Sequence, residues 1–352
     1  MAEQRKHDHE HDHDHNNGDD KHGDKHDHSH GQERAHDHSD HRHSQGQDHE
    51  HDSSQAREHE HEHGHGEDHS HDHAHEHGHF NEHGHSHDHK TRFHDPQHAA
   101  EFDRRSTMEG IRGALTTKMI EMLSLSGSEW VLDLATGTGR VARPVSKHMK
   151  AGHIIGVDQA LAMLDVGHQH KEPISSYSQS AGAADALPFK SNSFDRAFVS
   201  FSLHHFGNAS GVVKEVIRVL KGDGRFVVLD PIIEEAKDAV DAALEAKINQ
   251  VFRRTHGPDF RFHTASSIQR LLTKAGYRIP RTNILSFSFN QEGMDGIPTG
   301  RHWLEAALEL EKEAPELAER MKKNYFTWHA HGDHAHVKGS FSYALICGVK
   351  PE

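Results

Sequence analysis

Apolar positions beyond residue 130 come in short unbroken runs, separated by stretches of helical spacing. WVLDLA, HIIGVD, SYSQS, FDRAFVSFSL and GRFVVLD read as five buried strands, SYSQS being the weakest of them. Helix-like segments alternate with them: VARPVSKHM, about Ala160 to His170, and the amphipathic VVKEVIRVL, which ends at Gly222. Residues 234–255 are helical in composition, and TASSIQRLLTKAG has the Ser/Thr start and Gly stop of a further helix. RTNILSFSF and FSYALICGV are two closing strands. Between them WLEAALELEKEAPELAERMKKN predicts a helical insertion at about 290–338, interrupted or restarted at Pro315. Ahead of the first strand, Phe93, Phe102, Met108, Ile111, Leu115, Met119, Ile120 and Leu123 recur mostly at three- and four-residue steps, and Gly127 sits at the helix stop.

Strands alternating with helices imply parallel strands joined by crossovers. The predicted fold is therefore α/β: a Rossmann-like, seven-stranded, mostly parallel sheet with helices on both faces, spanning 91–352. Ligands of such sheets bind beyond the carboxyl ends of the strands, near the switch point at the first strand.

Composition changes the picture for residues 1–90. They hold 29 of the 44 histidines, with 24 acids against eight bases, a net of −16, whereas the remainder is close to neutral at +1. Apolar side chains are almost absent there, so the segment cannot offset the cost of ordering its backbone and is predicted to be a disordered tail when metal-free. No apolar run approaches the ~20 residues of a membrane span. No signal-peptide-like stretch stands at the N-terminus. The single cysteine, Cys347, excludes an intramolecular disulfide framework and a Cys-cluster metal site. The near-neutral body and acidic tail argue against nucleic acid as a partner. The expectation is a cytoplasmic protein with neither a membrane nor a nucleic-acid partner.

The central motif is VLDLATGTGR, residues 131–140. Gly137 and Gly139 lack Cβ, which lets the loop turn sharply and a ligand lie against its backbone. About twenty residues on, Asp158 ends the second strand, where a carboxylate can accept both hydroxyls of a ribose. The glycine spacing also suits a dinucleotide fingerprint, with Ala142 at its third position. The acid before the loop, Asp133, favours instead a cationic ligand without phosphate.

Four motifs occur in order: VLDLATGTGR, GVDQALAMLD, AGAADALPFKSNSFDRAFVSFSLHHF and KEVIRVLKGDGRFVVLDP. In these the chain resembles the class I S-adenosylmethionine-dependent methyltransferases, most closely the ubiquinone/menaquinone C-methyltransferase branch, over about Leu115–Gly222. The resemblance implies that Asp133, Ala135, Gly137 and Gly139 line the methionine end of the cofactor. It implies that Asp158 holds the ribose, that Gln159 and Met163 flank the adenine, that Ala184 and Asp185 lie near its edge, and that Ser200 and Phe201 close the end of the fourth strand. One position departs from the family: its usual acid is Ala183 here, so either Asp185 substitutes from two residues on or a backbone group reads the adenine amine.

Methyl transfer needs a general base only where the acceptor atom carries a proton. His204 and His205 follow the fourth strand and are the candidates; the alternative is that they shape the pocket wall. The aromatics Phe252, Phe260, Phe262, Trp303, Tyr325, Phe326 and Trp328 fall in the segments where acceptor choice would lie, and core packing is the plainer reading for most of them. WHAHGDHAH places His329, His331, His334 and His336 around Asp333, either as a metal site or as an exposed polar loop. Imidazoles such as those of His59, His61, His63, His65, His71, His73, His75 and His77 suit Zn²⁺, Ni²⁺, Co²⁺ or Cu²⁺. At three or four ligands each, the tail histidines could hold on the order of seven to nine ions. Two functions follow: methyl transfer to a small molecule with a metal-binding tail, or a metal storage or delivery protein with a methyltransferase-like body.

Overall fold

The computed structural model describes residues 92–106, 108–170, 174–331 and 334–352. The tail histidines His59 to His77 and Asp333 lie outside the described residues. A 3₁₀ turn, Arg92–His94, leads into α1 (Pro96–Arg105), which starts where Asp95 accepts the N–H of His98 at 2.7 Å. Then come α2 (Gly110–Leu123), β1 (Trp130–Leu134), α3 (Ala142–Ser146), β2 (His153–Asp158), α4 (Leu161–His168), β3 (Tyr177–Ala181) and β4 (Phe194–Ser200). A second 3₁₀ turn, Leu203–His205, precedes α5 (Ala209–Val219), β5 (Leu220–Ile232) and α6 (Ala239–His256). The chain ends with α7 (Ala265–Lys274), β6 (Arg278–Glu292), α8 (Gly300–Glu313), α9 (Pro315–Asn324), β7 (Phe326–His331) and β8 (His334–Val349).

The sheet order is β3-β2-β1-β4-β5-β8-β6, with β7 paired to β8. β1 to β5 run parallel, and β8 is antiparallel to β5, β6 and β7. From β1 the chain winds outward to β3, then returns to add β4 and β5 on the other side. That reversal opens a crevice beyond the carboxyl ends of β1 and β4. Both faces of the sheet are covered. Val131, Phe198 and Val227 pack with Leu115, Met119 and Leu123 of α2 on one face. Leu132, Val199 and Val228 pack with Val213 and Val216 of α5 and Ile268 and Leu272 of α7 on the other. Burial on both faces explains why these strands read as unbroken apolar runs.

Two differences from the sequence reading have physical causes. Among the described residues the sheet has eight strands rather than seven, because the insertion is not wholly helical. After α8 and α9, Phe326 and Trp328 turn into the core while Thr327 and His329 face out, the period of a strand. α5 stops at Val219, short of Gly222, because Leu220 already pairs with Phe194. Pro315 does restart the insertion's second helix, at its first turn. Phe252, Phe260, Phe262, Trp303, Phe326 and Trp328 are buried core residues, as the plainer reading held. No helix among the described residues is long and apolar enough to cross a membrane.

Candidate functional site

The chain turns immediately after β1. Ala135, Gly137 and Gly139 have φ of 51°, 58° and 76°, so three alternate residues take left-handed backbone. A Cβ on Gly139 would lie 2.7 Å from the Tyr177 hydroxyl, and one on Gly137 would meet the Met163 Cε at 3.3 Å. Glycine is therefore required at Gly139 by both conformation and space. The N–H of Thr136 bonds the Val157 carbonyl at 3.0 Å, which ties the loop to β2.

Two carboxylates hold this loop. Asp133 is 1 % exposed, and its Oδ2 accepts the Thr136 hydroxyl at 2.6 Å. Thr136 Oγ1 also lies 2.9 Å from the Tyr177 hydroxyl. Burial pushes the Asp133 carboxyl up to about 8; the Thr136 bond opposes the shift and the charge of Asp158 adds to it. Asp158 accepts the N–H of Gly137 at 2.8 Å and of Ala160 at 2.9 Å. Burial raises its pKa too, against those two bonds and the nearby His94. Each Asp158 oxygen retains a lone pair for a further donor.

Met163 is buried beneath Gly137, and Ser200 and Phe201 end β4 beside the loop. Phe201 has φ of 54°, rare for a bulky side chain. Asp133, Ala135, Gly137 and Gly139 thus stand on or beside one loop, which Asp158 bonds and Met163 underlies. Gln159 is exposed directly after Asp158, and Ala184 is half-buried in the loop after β3. Asp185 is exposed and accepts from Asn208 Nδ2 at 3.0 Å, a bond directed to the start of α5 rather than to the glycine loop.

His204 is buried, with Nδ1 3.0 Å from each carboxylate oxygen of the fully buried Asp230. Asp230 also accepts the His204 backbone N–H at 3.1 Å. With Nδ1–H donating to Asp230, Nε2 is the basic nitrogen. The His205 ring packs against those of Phe93, His204 and Phe260 at 5.7, 4.3 and 5.6 Å. Burial, reinforced by His204 and His256, holds its pKa well below the usual value, so His205 is neutral at physiological pH.

α1 is fastened to the loop by a residue that the sequence did not single out. Asp103 accepts from Thr138 Oγ1 at 2.5 Å and from Arg140 Nε at 2.8 Å. Burial works to raise its pKa, but Thr138, Arg140 and His170 outweigh it and the net shift is downward. Thr136, Tyr177 and Asp230 were likewise not singled out: each acts through a partner visible only in the fold.

The second histidine cluster sits on the β7–β8 hairpin. His329 is opposite His336 and His331 opposite His334. His336 places Nδ1 2.7 Å from Glu292 Oε1 and Nε2 2.9 Å from Asn290 Oδ1. Among the described residues no group of three or more His, Cys, Asp or Glu is arranged to hold a metal ion; Asp333 and the side chains of His331 and His334 lie outside them.

Residues 132–228 match the family model described as a methyltransferase domain. An uncharacterized methyltransferase, YcgJ, of Bacillus subtilis is 31% identical over 137 residues, which are 38% of this chain and 51% of that protein. A demethylmenaquinone methyltransferase of Thermotoga maritima is 35% identical over 113 residues, 32% of this chain and 48% of that protein. The chain thus spans about half the length of these two curated relatives. The crystal structure of the Bacillus subtilis YcgJ protein superposes with a TM-score of 0.53 at 23% identity, covering 68% of this chain and 99% of that one.

Proposed function

We propose, from a chain whose residues 132–228 match a methyltransferase domain, that the protein is a class I S-adenosylmethionine-dependent methyltransferase acting on a small molecule. The observation that carries this reading is the pair Asp133 and Asp158, which grip neighbouring residues of a positive-φ loop. The donor set fits the cofactor. A buried acid held protonated by desolvation gains a partner when a cation arrives. Two free lone pairs on Asp158 suit a vicinal diol, and the bare backbone at Gly137 and Gly139 allows close approach.

When bound, the cofactor supplies a sulfonium-activated methyl group. Asp133 takes the ammonium of its amino-acid end, Asp158 the ribose hydroxyls, and Met163 and Gln159 flank the adenine, with Ala184 and Asp185 towards its edge. Ala135, Ser200 and Phe201 complete the wall. α1 is fastened to the loop through Asp103. Holding donor and acceptor in line supplies much of the rate in such a displacement. For an acceptor atom that carries a proton, His204 Nε2 receives it, with Asp230 fixing the ring and balancing the charge. His205 borders the same space.

Incubation with methyl-labelled S-adenosylmethionine and a small-molecule cell extract tests the reading. Label should pass to a compound below the size of a protein. Absence of transfer, with intact cofactor binding, would favour the storage or delivery alternative.

A second proposal concerns residues 1–90: that they bind Zn²⁺, Ni²⁺, Co²⁺ or Cu²⁺ through their histidines. Its support is compositional, 29 imidazoles interspersed with 24 acids. Metal content after dialysis against Zn²⁺ or Ni²⁺ tests it.

A further inference from the structure

Among the described residues Arg112 forms no ion pair with a carboxylate. It lies on α2, half-buried, and its guanidinium carbon sits 4.6 Å above the centroid of the Phe201 ring. Among the described residues no carboxylate and no carbonyl accepts a hydrogen bond from its side chain. Other arginines of the chain are paired. Arg140 is bonded to Asp103, Arg218 to Glu215, Arg254 to Glu309 and Arg320 to Asp238 and Asp241.

Three elements meet at this point. Phe201 follows the carboxyl end of β4 and Tyr343 pairs with Pro231, just past Asp230 on β5. The Phe201 and Tyr343 rings meet edge-on at 6.2 Å. Arg112 is thus held near the carboxyl ends of β4 and β5. A guanidinium has five N–H donors in a planar fork, and the ring face satisfies none of them. Burial accordingly pulls its pKa down, Tyr343 opposing and Arg140 adding to the shift. Its planar fork matches a carboxylate in bidentate geometry. The Phe201 ring lies beneath that fork, on a residue with left-handed backbone, φ 54°.

We propose that Arg112 is a carboxylate-binding residue of the active-site crevice, with Phe201 as its platform. The inference rests on the methyltransferase reading for the identity of the crevice. A carboxylate can come from either of two molecules: the amino-acid end of the cofactor or the methyl acceptor.

The test uses the full chain and the variants Arg112→Met and Arg112→Lys. Calorimetry compares S-adenosylhomocysteine with 5′-methylthioadenosine, which keeps the nucleoside and lacks the carboxylate. Thermal unfolding with benzoate, with and without S-adenosylhomocysteine, probes the acceptor side. If the cofactor is the source, Arg112→Met weakens S-adenosylhomocysteine about 10- to 100-fold, Arg112→Lys less, and methylthioadenosine is unaffected. If the acceptor is the source, both nucleosides bind as before, and the protection that benzoate gives the unmodified protein is lost in Arg112→Met. Equal responses of all three probes in the variants and the unmodified protein overturn the proposal, and so does a parallel loss of both nucleosides, which marks Arg112 as structural. Failure of the unmodified protein to bind either nucleoside counts against the cofactor reading itself; benzoate then still decides for or against Arg112.

Discussion

Asp133 and Asp158 bond adjacent residues of one loop, Asp133 the hydroxyl of Thr136 at 2.6 Å and Asp158 the N–H of Gly137 at 2.8 Å. Two buried acids are thereby held at one turn, and burial, with the charge of Asp158 adding to it, pushes Asp133 up to about 8. Near neutral pH it carries a proton that the unfolded chain lacks. Between an ordinary carboxyl value and about 8 the folded state binds the extra proton, so this group lowers the stability of the free domain as pH rises through that window. A bound ammonium reverses the preference.

From that follows a pH dependence of binding. The affinity for S-adenosylhomocysteine should rise by up to about tenfold per unit between pH 6 and 7.5, with a proton released on binding. Calorimetry in buffers of different ionisation enthalpy reads the proton directly. Asp133→Asn should bind weakly and with no pH slope from this group. An equally steep slope in that variant would place the titration elsewhere.

The two loop glycines should differ. Gly139→Ala meets the Tyr177 hydroxyl at 2.7 Å and ring carbons at 3.0 and 3.1 Å, whereas Gly137→Ala meets only the movable end of Met163 at 3.3 Å. Both pay for positive φ, about 1 kcal/mol each. Gly139→Ala should cost about 1–3 kcal/mol more, measured by denaturant unfolding. Equal losses would mean that Tyr177 yields without cost.

These glycines and Asp158 were legible in the sequence because a positive-φ turn and a strand-end acid leave residue types at fixed spacing. The five parallel strands were legible for a similar reason, since burial on both faces removes polar positions. Contacts between distant segments leave no such mark. Tyr177 reaches Thr136 across 41 residues and Asp103 reaches Arg140 across 37. Asp230 read as the last residue of a strand, and only the fold brings it to His204. The β7 strand was missed because Phe326 and Trp328 alternate with polar residues over a mere six positions, directly after two helices.

His204 and Asp230 should act as a unit in turnover and not in cofactor binding. For an acceptor that must lose a proton, Asp230→Asn and His204→Gln should each lower the rate of labelled methyl transfer about 100-fold, with S-adenosylhomocysteine affinity unchanged. The double variant should be no worse than either alone. Unchanged turnover in His204→Gln would falsify the base assignment and leave the pair a wall of the pocket.

Metal removal should separate the tail from the chemistry. After treatment with a strong chelator the full chain should keep its affinity for S-adenosylhomocysteine and its transfer activity. On readdition it should take up on the order of seven to nine Zn²⁺ or Ni²⁺ ions, fewer below pH 6 as protons compete for imidazole. Loss of transfer on chelation would show that metal takes part in the reaction or its control.

The most direct test of the central claim is calorimetric titration of the full chain and of Asp158→Asn with S-adenosylhomocysteine and with NAD. One equivalent of S-adenosylhomocysteine should bind the unmodified protein, about 10- to 100-fold more weakly in Asp158→Asn, and NAD should give no heat. Binding of NAD with no response to S-adenosylhomocysteine would contradict the account.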